Sequence, residues 1–181
     1  MKKIALLVLS SLIVTAASFA QTNKGDWMVG GNLTVNTTED NTDFTLQPSA
    51  GYFFARNFAA GAQVLLSFGK NGDTHTSSIG IGPFARYYFE LKNPQFKPLL
   101  HADFNVASNR YKTNGVSTTN TVTSFFLGGG AAYFINSNVA LEGVAGYNSS
   151  KFEDNDANGG FRFRVGFQIH LLGSEVKSAK P

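Results

Sequence analysis

The sequence contains no cysteine, so neither disulfides nor thiolate metal sites can hold its fold together. Stability must come from strand pairing and burial. Charge is scarce too: Asp, Glu, Lys and Arg make up 15% of 181 residues, beside 17 Phe and 19 Gly. That balance favours strands and turns over a helical bundle. After Ala20 no apolar run reaches the roughly 18 residues of a membrane-spanning helix. No segment matches a phosphate loop, a zinc helix or a nucleophile elbow, which leaves no catalytic or cofactor-binding motif to name. The three histidines, His75, His101 and His170, are too scattered in sequence to make a metal site. The formal net charge of +3 includes Lys2 and Lys3. Without them it falls to about +1, too little to point to a nucleic-acid partner.

Those two lysines open an export signal. Met1, Lys2 and Lys3 precede an uncharged stretch over residues 4–20, and Ser18-Phe19-Ala20 places small residues three and one before a cut. Read as an uncleaved anchor, the stretch is short for a bilayer and lacks a charged stop. The predicted organisation is therefore a signal peptide at 1–20, one folded domain at 21–172 and a polar tail at 173–181.

What fills that domain is alternation. Trp27, Val29, Gly31, Leu33 and Val35 share one parity, as do Phe44, Leu46, Pro48, Ala50, Tyr52 and Phe54. The period of two continues through Phe58 to Phe68, Ile79 to Phe89, Phe96 to Val106, Phe125 to Tyr133, Val139 to Tyr147 and Phe161 to Leu171. About eight strands result. Their connections alternate in length. Short turns fall at residues 55–57, 91–95 and 136–138, and longer polar stretches at 36–43, 69–76, 107–120 and 149–160. Tyr52-Phe53, Asn57 and Ala59 recur as Tyr133-Phe134, Asn138 and Ala140, one hairpin design used twice.

Period two alone does not say whether the apolar face meets a core or lipid. The aromatic positions favour lipid. Phe44 and Tyr52, Phe96 and Phe104, and Phe125 and Tyr133 lie eight residues apart on their strands. Tilted, that spacing rises about 20 Å, close to the ≈ 25 Å apolar band of a membrane barrel. The predicted lipid-facing set is Trp27, Phe44, Tyr52, Phe58, Phe68, Tyr87, Phe96, Phe104, Phe125, Tyr133, Tyr147 and Phe161. The opposite face carries Arg86, Glu90, Lys97, His101, Asp103, Glu142, Arg162 and Arg164. Charges shut inside a barrel must be neutralised locally, so a polar network is expected in which Glu142 and Asp103 serve the arginines. With about eight strands, side chains fill the interior and leave a plugged cylinder. The fold class is thus all-β, an eight-stranded antiparallel up-and-down transmembrane barrel.

The alternating hairpins, the Gly-Tyr-Phe-Phe-Ala-Arg-Asn-Phe-Ala-Ala-Gly run at 51–61 and the final strand from Phe161 to Leu171 resemble the outer-membrane protein β-barrel domain family, the small OmpX/OmpA-like barrels. The resemblance spans essentially all of 21–172. It implies residence in the cell outer membrane, lipid and lipopolysaccharide as surroundings, and insertion by the barrel-assembly machinery with the last strand as signal. Such proteins often stop at an aromatic residue, whereas here a polar tail follows. The cell-wall tethering of two-domain relatives does not carry over.

A non-enzymatic barrel acting in envelope structure or through its loops, without cofactor and as a monomer, is the leading expectation. Two others stay open. His75 and Ser77 near Asp73 suit a barrel enzyme acting on lipid, and a soluble ligand-binding barrel would turn the apolar face inward. Among the long loops, Glu39, Asp40 and Asp43 make the first acidic, Glu153, Asp154 and Asp156 the fourth, and Arg110 and Lys112 make the third basic. Loops on a rigid scaffold are where binding usually resides.

Overall fold

The computed structural model describes residues 22–37, 41–71, 74–113, 116–152 and 156–173. The export signal, the tail beyond residue 173 and the loop acids Glu39, Asp40, Asp73, Glu153 and Asp154 lie outside them. Eight strands are formed by the described residues: β1 Trp27–Thr37, β2 Asn41–Ala55, β3 Phe58–Asn71, β4 Thr74–Tyr88, β5 Phe96–Thr113, β6 Val116–Phe134, β7 Val139–Phe152 and β8 Asn158–Leu171. Each pairs antiparallel with its neighbour in sequence, and β1 pairs with β8, closing the barrel. Along the paired length, closure removes the free sheet edges that would otherwise need covering.

The alternation becomes sidedness. On β4 the residues Phe84, Arg86 and Tyr88 are buried while Ile79, Ile81 and Tyr87 are exposed. The forecast aromatic set lies wholly on the outer surface, and all but half-buried Tyr52 are exposed. Tyr52 is covered edge-on by Trp27 and Phe54, at 5.2 and 5.1 Å between ring centres. The register pairs these residues with one another. Trp27–Tyr52, Phe58–Tyr87 and Phe96–Tyr133 form one ring near the chain ends. Phe44–Phe68, Phe104–Phe125 and Tyr147–Phe161 form a second ring toward the other rim. Cross-strand aromatic pairs stabilise a sheet locally, and here they also mark two levels on the cylinder.

The turns at the chain-end rim are tight. Between β2 and β3, Asn57 adopts φ 66°, a left-handed conformation that Asn tolerates. Between β6 and β7, Asn136 Oδ1 accepts the backbone N–H of Asn138 at 2.9 Å and of Val139 at 2.8 Å, an Asx turn. At the opposite rim the forecast loops shrink. The sequence pattern predicts a loop over residues 107–120, but β5 runs to Thr113 and β6 resumes at Val116. Strand likewise replaces most of 36–43, 69–76 and 149–160. These segments are rich in Thr, Ser and Asn and extend past the apolar band. Their backbones keep pairing although neither face is apolar, so hydrophobic alternation stops while the ladder continues.

Candidate functional site: the barrel interior

The lumen has three levels. At the chain-end rim, residues 22–26 fold across the opening. Gly25 N–H donates to Phe53 O and Phe53 N–H to Asp26 O, both at 2.9 Å. Buried Thr22 donates to Asn57 Oδ1 at 2.5 Å and accepts from Lys97 Nζ at 2.7 Å. Above this cover sits an aromatic layer of Met28, Phe53, Tyr88, Leu99, Phe134 and His170, all buried. His170 lies 5.1 to 5.9 Å from the rings of Phe134, Phe53 and Tyr88.

The middle level is ionic. Arg86 pairs with Glu142, which also accepts the Tyr88 hydroxyl at 2.8 Å. Arg86 Nε donates to His101 Nδ1 at 3.2 Å, and His101 Nε2 lies 2.9 Å from Asp103 Oδ2. An imidazole that accepts at Nδ1 and donates at Nε2 is neutral. Asp103 then pairs with Arg164, whose guanidinium stacks 3.7 Å over the Phe126 ring. Asn105 Nδ2 donates to Asp103 Oδ1 at 2.7 Å and accepts from Gln63 Nε2 at 3.0 Å. Two guanidinium groups thus meet two carboxylates, and the chain of contacts crosses the lumen without net charge. Such neutrality is what low-dielectric burial demands.

Above this layer the lumen opens into a cup of about 280 Å³, whose wall includes Thr45, Gln47, Ser67, Asn105, Ser124 and Asn148. These side chains are short or polar and leave space for water.

Five of the eight forecast interior residues, Arg86, His101, Asp103, Glu142 and Arg164, are joined directly in this network. The other three are not. Lys97 is buried but belongs to the cover over the chain-end rim. Glu90 is exposed beyond the end of β4, where it pairs with Arg56 at 2.8 Å. Parity points it inward, but β4 has already ended at Tyr88. Arg162 also has inward parity, yet it stands exposed at the mouth of the cup, above the level where the wall closes. For Glu90, the Asn57 side chain and the Arg56 guanidinium hold the carboxyl below its ordinary range.

The aromatic layer was missed from the sequence, although a signal for it exists. Tyr52-Phe53, Tyr87-Tyr88, Phe125-Phe126 and Tyr133-Phe134 are adjacent aromatic pairs. In a strand neighbouring side chains take opposite faces, so each pair sends one ring outward and one into the lumen. As for the catalytic candidates, His75 and Ser77 sit on the outer surface and are exposed. The cross-strand neighbours of His75 are Lys70 and Lys112, neither of them a carboxylate. Asp43 is half-buried on the cup wall, and Asp156 is exposed.

A closed antiparallel barrel with an aromatic-ringed apolar exterior and its ion pairs inside matches a known design. The family model described as outer membrane protein beta-barrel domain matches residues 5–168. The chain belongs to that family. Its location is accordingly the outer membrane. Among solved barrels, Neisserial surface protein A is similar at TM-score 0.60 and 19% identity, over 81% of this chain and 97% of that one. The N-terminal β-barrel domain of Pseudomonas aeruginosa OprF is similar at 0.54 and 14%, over 82% and 98%. OprG of the same organism gives 0.50 and 12%, over 84% and 98%. At these identities the likeness is one of fold. No curated protein matches the chain.

Proposed function

We propose that this outer-membrane barrel is a non-enzymatic envelope protein with a closed lumen, acting through its solvent-facing rim and its lipid-facing surface. Residues 1–20 serve as its export signal, and the barrel-assembly machinery inserts it as a monomer among outer-membrane lipid and lipopolysaccharide. One observation carries the reading. The outward positions form a continuous apolar surface bounded by the two aromatic rings, while the buried ionised groups of the middle level, Arg86, Glu142, Asp103 and Arg164, are paired inside. A soluble protein with this exterior would present water with an apolar patch far beyond what monomers tolerate. Charge neutralised within the lumen, above a layer of packed rings, leaves no continuous aqueous path for ions.

The test is reconstitution in phospholipid vesicles and planar bilayers. Brominated acyl chains are expected to quench Trp27, with no steady conductance across the bilayer. Strong quenching of Trp27 by aqueous iodide, or a stable ohmic current, contradicts the reading.

A further inference from the structure

Closure of the barrel is unequal along its height. The β1–β8 ladder runs from Trp27 opposite Leu171 to Leu33 opposite Val165 and stops. Among the described residues, 34–37 pair only with β2 and 158–164 only with β7. The wall between β1 and β8 is therefore unzipped above Leu33 and Val165. The depth of this gap follows from the register. Val35 pairs with Phe44 and Phe161 with Tyr147, both members of the upper aromatic ring. The opening thus lies within the outer half of the apolar band and reaches its edge.

Unpaired strand edges at that depth are tolerated only where they are buried in protein or line a water-filled cavity. A cavity of about 720 Å³ does lie there, bounded by Val35, Phe161 and Arg162 on the seam side and by Asn109, Asn148 and Ser150 on the lumen side. That size is ordinary for a small-molecule site. Asn109, Asn148, Ser150 and Arg162 also line the axial cup, so the two spaces are continuous. Gly160 leaves the wall open, because a Cβ there would meet nothing within 4 Å. Below the gap the seam is tight for a definite reason. Gly30 faces Gln168 and Gly166 faces Asn32, and a Cβ on either glycine would come within 2.5 Å of its partner's side-chain oxygen.

We propose that this lateral opening admits a single-chain amphipathic anion from the outer leaflet, with its head at Arg162 and its chain along Val35, Phe161 and Phe163. Arg162 makes no ion pair within the described residues, so its charge is available to an incoming carboxylate or phosphate. Phe161 and Phe163 are 86% and 62% exposed and flank it on the outer surface. Polar groups on one side and rings on the other suit a molecule with a charged head and an apolar chain. The site uses the barrel's membrane residence and is independent of whether it has any catalysis.

Absence of native cysteine makes the seam lockable. Val35→Cys with Phe163→Cys places thiols at the next same-face step after Leu33 and Val165, and oxidation would close the wall. The full barrel is reconstituted in phosphatidylcholine vesicles and titrated with cis-parinaric acid, followed by fluorescence. Saturable binding is expected in the parent barrel and, weakened by loss of the Val35 and Phe163 side chains, in the reduced variant; oxidation is expected to weaken the variant's binding at least a further tenfold, with recovery on adding reductant. Arg162→Gln without any cross-link is expected to weaken binding about tenfold, and Arg162→Lys to retain most of it. Displacement by lauric acid but not dodecyl phosphate identifies a fatty carboxylate as the source, and the reverse a phosphorylated lipid. Non-saturable partitioning, displacement by neither, or binding indifferent to both closure and Arg162→Gln overturns the proposal. So does closure that abolishes self-association of the barrel while leaving probe binding intact, which would give the edge to a second copy.

Discussion

The lower and upper halves of the lumen share the same eight strands and the same alternation, yet one is packed and the other is open. Below the Arg86–Glu142 pair, inward positions carry Met28, Phe53, Tyr88, Leu99 and Phe134. Above Asp103 they carry Thr34, Thr45, Ser67, Ser78, Ser124 and Ser150. The same eight strands wall both levels, and the change from bulky to short polar inward side chains leaves the upper one wet. In this fold, openness is written at every second residue.

The comparison breaks most forcefully at the ionic layer. Glu142→Ala leaves Arg86 buried without its carboxylate, and removing one partner of a buried pair costs about 3–5 kcal/mol. Urea unfolding of the vesicle-inserted barrel is expected to show that loss, and Arg86→Met with Glu142→Leu to recover most of it. A single variant as stable as the parent would mean water already solvates this level.

Phe134→Ala comes next. It removes a buried ring from the lower layer and should cost about 3 kcal/mol, transfer and cavity terms together. The same measurement at the upper level should give far less. Thr45 and Ser67 share a hydrogen bond at 2.9 Å on the cup wall, and Thr45→Ala there should cost less than about 1 kcal/mol because water replaces the lost partner. Equal losses at Phe134 and Thr45 would erase the distinction between the halves.

The smallest effect lies outside the membrane, at the Arg56–Glu90 pair. The Glu90 carboxyl is held below its ordinary range by the Asn57 side chain and Arg56. A carboxyl depressed in the folded state stabilises at pH above its unfolded value, and the stabilisation is lost as pH falls through the folded one. Both groups are well exposed, so the contribution is heavily screened. Unfolding midpoints of the parent and of Glu90→Gln should differ slightly at neutral pH and converge in acid below about pH 4. A difference that widened in acid would assign Glu90 the opposite role.

The outer surface was legible in the sequence because lipid imposes one rule along every strand, apolar outward, and the aromatic positions mark its two edges. The partnership of Glu142 and Asp103 with arginines follows from the same sidedness, since few other carboxylates point inward. Three things were not legible. Parity gives a residue's direction but not its height, which is why Glu90 and Arg162, correct in direction, sit beyond the buried level. Strand ends in polar sequence leave no hydrophobic mark, so β5 and β6 extend through a segment that reads as loop. The β1–β8 register depends on residues far apart in sequence, and local pattern says nothing of where that seam ends.

The central claim is that one lumen is sealed below and wet above, and β6 carries both conditions on one face. Ser124 lines the cup, whereas Ala132, eight residues along the same strand, is fully buried. Single variants Ser124→Cys and Ala132→Cys, each the protein's only thiol, can be treated with a membrane-impermeant thiol reagent in intact vesicles. The account predicts rapid labelling at position 124 and none at 132 until the barrel is unfolded. Comparable labelling at both positions would mean that water reaches the lower layer, and the sealed half would not exist.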